Sequence, residues 1–90
     1  MKKNLPFAMI NAVRKLVSLN MLKIGQTLSV RELSGPKDIK YKLYDLGITK
    51  GVKLTLISKS PLGDPFNILV RGYNLAIEKE LAIKIKGTLL

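Results

Sequence analysis

The sequence predicts a mainly β protein: a small closed barrel of about five short strands, with one short α-helix inserted after the first strand. Three observations predict it. Short runs along the chain alternate apolar and polar side chains, as strands with one buried face do. Clusters of Gly, Pro, Asn and Ser separate those runs, so the connections are tight. With 90 residues, 47% of them hydrophobic, the chain can build one dense core and no more. An open sheet of that size would leave hydrogen-bonding edges exposed, and closure removes them.

Residues 1–17 read as an N-terminal extension and residues 18–90 as the domain. In the extension Pro6 suits a first helical position, and Phe7, Ile10, Val13 or Arg14, and Val17 recur at helical spacing. That pattern fits a short amphipathic helix or a frayed tail in equal measure. A helix lying on a membrane surface fits less well, with four basic residues and no Trp. In the domain, Thr27 to Leu33 alternates around Leu28 and Val30, and Ser34-Gly35-Pro36 ends that strand. Asp38 is then placed to cap a helix whose inner face carries Ile39, Leu43 and Leu46, with Lys40 and Lys42 outward. Gly47 follows the last apolar residue, where a left-handed C-terminal cap is expected.

Val52 to Lys59 alternates cleanly through Leu56 and reads as the next strand, and Ser60-Pro61-Leu62-Gly63-Asp64-Pro65 as a turn-rich loop. Phe66 to Val70 returns with Phe66, Ile68 and Val70 on one face. Arg71-Gly72-Tyr73-Asn74 reverses the chain, and Tyr73, Leu75 and Ile77 alternate with Asn74, Ala76 and Glu78 in another strand. Glu80-Leu81-Ala82 predicts a single turn, and Ile83 to Lys86 a last strand closed by Gly87. The SH3-like barrel is the common architecture for elements of this number and size.

Composition removes several function classes. Without cysteine there is no disulfide, thiolate metal site or thiol redox chemistry, and without histidine the commonest general base and metal ligand is missing. The carboxylates Glu32, Asp38, Asp45, Asp64, Glu78 and Glu80 are scattered, and Glu78 and Glu80 read as solvated strand side chains. The protein is therefore not expected to be an enzyme. No tightly bound cofactor is expected, only weak association with Fe²⁺ or another divalent cation.

The net charge of +10 calls for an acidic partner, and on charge alone a nucleic-acid-binding basic barrel is the alternative function. That reading wants a focused basic stripe with interleaved aromatics, whereas Arg14, Arg31 and Arg71 lie far apart and the chain has five aromatics in all. No specific nucleic acid is expected. No run approaches the ~20 apolar residues of a membrane span, and Asn11, Arg14 and Lys15 interrupt the signal-like N-terminus. A cytoplasmic protein, peripheral to a membrane at most, is the expectation.

Three stretches carry a family resemblance: Ile39 to Gly51 with its Leu46-Gly47, Ser60-Pro61-Leu62-Gly63-Asp64-Pro65, and Val70-Arg71-Gly72-Tyr73-Asn74-Leu75-Ala76-Ile77. Their order and spacing resemble the FeoA family, as does the upstream Leu19 to Gln26, so the likeness covers roughly residues 18–87. The resemblance implies an SH3-like barrel related to the C-terminal domain of iron-dependent repressors. It also implies an accessory role beside FeoB, the membrane GTPase that carries ferrous iron. The family usually starts near the position of Ser18, so residues 1–17 depart from it.

Two surfaces are candidates for partner contact. The loop offers Pro61, Leu62, Asp64 and Pro65, where Leu62 is an apolar side chain among turn formers, although a plain hairpin connection with Asp64 bonding backbone amides is the more expected reading of the loop. Tyr41 and Tyr44 lie three apart on the helix and, with Tyr73, could line an aromatic groove for an extended peptide or simply seal the end of the barrel. Self-association is left open.

Overall fold

The computed structural model describes residues 15–90, so the helical reading of the extension falls almost wholly outside the described residues. Six antiparallel strands form one sheet: β1 (Val17–Ser18), β2 (Thr27–Leu33), β3 (Lys53–Lys59), β4 (Phe66–Val70), β5 (Tyr73–Ile77) and β6 (Ile85–Leu89). Their order across the sheet is β1-β6-β2-β3-β4-β5. Helix α1 (Lys37–Asp45) connects β2 to β3, and the four-residue α2 (Lys79–Ala82) connects β5 to β6. A 3-10 turn at Leu19–Met21 follows β1. No helix among the described residues is long and apolar enough to cross a membrane.

The predicted alternation builds the core. Leu28 and Val30 of β2, Leu54 and Leu56 of β3, and Phe66, Ile68 and Val70 of β4 all point inward and are buried. Where the alternation breaks, the ladder carries a bulge. In β2 the register shifts between Val30 and Glu32, which lets Leu33 rather than Glu32 face the core. In β3 it shifts between Leu56 and Ser58, and Ile57 is turned outward. From α1, Leu43 is fully buried while Ile39 and Leu46 pack against the same cluster. No polar or charged residue is buried among the described residues.

Four expectations need correction. The sheet is not closed by hydrogen bonds: β1 and β5 are its two edges and no ladder joins them. Leu43, Ile48, Leu19 of the 3-10 turn and Leu22 just after it fill the interior, so the apolar faces are covered without a closing seam. The strands number six, because the two-residue β1 pairs with β6 through Val17↔Gly87 and Ser18↔Lys86 and is too short to leave an alternation. Helix α1 begins after Pro36, with no side-chain cap, so Asp38 lies in its first turn instead, where a carboxylate still favours the positive end of the helix dipole.

The last strand runs Ile85–Leu89, so Gly87 sits inside it rather than after it. There it faces Val17 on one side and Val30 on the other. A Cβ at Gly87 would run into the Ser29 carbonyl, with the carbonyl carbon at 2.8 Å and Val30 Cα at 3.1 Å. Only glycine lets the strands approach that closely.

Candidate functional site

The loop between β3 and β4 is held by its own polar groups. Ser60 is the hub: its hydroxyl donates to the Asp64 carbonyl at 2.6 Å and accepts from the Asp64 amide at 3.1 Å. The Gly63 amide donates to the Ser60 carbonyl at 2.8 Å, and the Ser60 amide to the Pro65 carbonyl at 3.1 Å. The Asp64 carboxylate faces away from this knot and accepts from the Lys79 amide at 2.9 Å. Lys79 is the first residue of α2, whose own N-cap makes no side-chain bond, so Asp64 caps that turn from a distance. Pro61 and Pro65 are exposed, and Leu62, at the tip, is 94% exposed. The loop is thus a braced bracket that holds one apolar side chain in water.

The tyrosines gather around α1. Tyr41 and Tyr44 lie on its outer side, 60% and 45% exposed, with ring centroids 6.3 Å apart in an edge-on arrangement. Tyr73 opens β5 and is 43% exposed. Its hydroxyl donates to the carbonyl of Leu46, the residue that ends α1. It therefore closes one of the orphan carbonyls that every helix leaves at its C-terminus. Arg71 and Gly72, the two turn residues before it, both have positive φ, at 49° and 85°. That two-residue turn matches the twist of the β4–β5 pair and aims Tyr73 at the helix end.

The two candidate surfaces are separate. Val70 pairs with Tyr73 at one end of the β4–β5 ladder and Phe66 with Ile77 at the other, beside the loop. Four residue steps of strand, ~13 Å, separate the tyrosine end from the loop end. Leu62 and Tyr73 thus belong to opposite ends of that ladder. The Asp64–Lys79 and Tyr73–Leu46 links were invisible in the sequence, since each joins residues from different elements. The one local signal was Ser60, four positions before the Asp64 that it binds.

The other donors give no metal centre: no group of three or more carboxylates is placed to hold an ion among the described residues. A groove of about 490 Å³ lies beside β1, lined by residues that include Lys15, Leu16, Met21, Glu32 and Lys86.

The chain matches the model of the FeoA domain over residues 17–88. No curated protein matches it significantly. Among solved structures, it is similar to an iron uptake regulatory protein (FeoA), with a TM-score of 0.78 and 28% identity over 84% of this chain and 100% of that one. The FeoA-like protein of Clostridium acetobutylicum superposes with a TM-score of 0.80 and 29% identity, covering 87% of this chain and 91% of that one. A zinc complex of Stenotrophomonas maltophilia FeoA, a prokaryotic SH3 domain protein, superposes with a TM-score of 0.65 at 22% identity, covering 77% of this chain and 86% of that one.

Proposed function

This chain belongs to the FeoA family, and on that premise we propose that it is a non-enzymatic accessory protein of ferrous-iron uptake, acting in the cytoplasm by direct contact with a FeoB-like membrane transporter. The observation that carries the reading is the family match, which spans residues 17–88 and hence all six strands but the last residue of β6. The side-chain inventory supports contact over carriage. With no His and no Cys, the chain lacks the ligands that hold ferrous iron tightly, so the metal is cargo of the partner.

The contact is assigned to the braced loop. Leu62 is almost wholly exposed, and the Ser60 and Asp64 hydrogen bonds hold its backbone in place. A preformed anchor loses little conformational freedom on docking. The test is paired. Leu62→Asp is expected to leave the thermal melt of the isolated protein unchanged and to reduce its co-purification with the transporter from membranes. Unchanged co-purification would remove Leu62 as the anchor and make Tyr41, Tyr44 and Tyr73 the next candidates. A collapsed melt would show that the loop folds inward in solution.

A further inference from the structure

We propose that β5 is a docking edge for a second copy of this chain, which pairs with it antiparallel, strand against strand. Among the described residues the strand ends the sheet, bonded to β4 on one side and to no strand on the other. Among the described residues, no backbone hydrogen bond outside that ladder uses a group of residues 73–77. The outward N–H and C=O groups of β5 therefore have no backbone partner among the described residues.

Sheet edges are ordinarily protected by a charge, a proline, a bulge or sheer shortness. The opposite edge, β1, is two residues long. The bulges of this sheet lie in β2 and β3, both interior strands. None of these devices protects β5: Tyr73-Asn74-Leu75-Ala76-Ile77 has no charge and no proline, and its pairing from Phe66↔Ile77 to Val70↔Tyr73 runs without a shift.

Charge selects the occupant. Three of the six acidic residues, Asp64, Glu78 and Glu80, gather at the Ile77 end, where Asp64 binds the Lys79 amide and Glu78 directly follows the strand. Lys79 in that turn and Lys59, whose ladder partner Phe66 pairs with Ile77, offset two of these charges, and the end keeps a single negative excess. Arg71 stands at the opposite end, before Tyr73. Two such strands related by a two-fold axis run antiparallel, and each Arg71 then lies one position from Glu78 of the partner subunit. A chain of net charge +10 repels its copy on average, and at this edge the sign pattern offsets that repulsion.

The pleat sets the register. With Leu75 on the two-fold axis, Tyr73 lies opposite Ile77 of the partner subunit and Asn74 opposite Ala76 of the partner subunit. All inward-facing side chains then stay on one side of the joined sheet, which a one-residue slip would forbid. The half-exposed Tyr73 and partly buried Leu75 gain cover in that arrangement.

The test uses the full chain, with sedimentation equilibrium and amide hydrogen exchange from roughly 10 µM to roughly 1 mM. The mass is expected to rise from 10.0 kDa toward twice that value, with exchange of the amides in Tyr73–Ile77 slowing in step. Ala76→Lys, at an exposed position, is expected to raise the dissociation constant on the order of tenfold while the dilute melt stays unchanged. Arg71→Glu is expected to weaken pairing likewise, and adding Glu78→Lys to restore it, which keeps the test decisive should Ala76→Lys misfold. A mass fixed at one chain throughout would overturn the proposal, as would dimers protected elsewhere than β5 or an Ala76→Lys protein that associates like the parent.

Discussion

One methyl group at position 87 would collide with the neighbouring strand, because the Ser29 carbonyl occupies the space where a Cβ would stand. Gly87→Ala is therefore expected to push β6 and β2 apart and to cost about 3 kcal/mol. Urea denaturation of the two proteins side by side measures it, and an unchanged midpoint would mean the strands are farther apart than described. Gly47 acts differently. Its φ of +85° forms the left-handed end of α1, and a Cβ there would lie 3.3 Å from the Tyr73 hydroxyl. Gly47→Val combines a disfavoured conformation with that crowding, and the expected loss is about 1–3 kcal/mol. Position 47 was legible in the sequence, since Gly after an apolar helical stripe is a local signal. Position 87 was not, because the atoms that demand glycine belong to a strand nearly sixty residues earlier in the chain.

The elements hold one another at their ends. Asp64 supplies the acceptor that α2 lacks, so Asp64→Ala should loosen both the loop and the turn, at a cost of about 1 kcal/mol. Amide exchange should quicken at Lys79 and Gly63 together. If Gly63 alone responded, the link between the two elements would be absent in solution. Strands β4 and β5 were legible almost to the residue, for their alternation and tight turn are local. Less legible was β6, whose start is fixed by long-range bonds: Ser34 donates its amide to the Lys84 carbonyl at 2.9 Å, which holds Ile83 and Lys84 in the turn before it. The candidate residues divide in the same way. Leu62 was recognisable because an apolar residue among turn formers has nowhere local to hide. The roles of Asp64 and Tyr73 depend on partners that no spacing rule connects.

For the molecule as a whole, composition sets the outcome of two binding measurements. Calorimetry with Fe²⁺ at neutral pH should reveal no saturable site tighter than the micromolar range, since no three carboxylates are placed to hold one ion among the described residues and the chain has no His or Cys. A stoichiometric nanomolar site would return the protein to the class of metal carriers. Binding to DNA or RNA should be weak, indifferent to sequence and lost near physiological salt, because scattered lysines release counterions without reading bases. Sequence-selective binding that survives such salt would favour the alternative function. The placement of the aromatics has an optical consequence. The chain has no Trp, and its three tyrosines all stand around α1, half in water, while among the described residues Phe66 is the one aromatic of the core. Tyrosine emission will therefore report the release of the helix from the β4–β5 turn rather than the melting of the sheet. A fluorescence transition that precedes the far-ultraviolet circular dichroism transition would register that end of the molecule opening first.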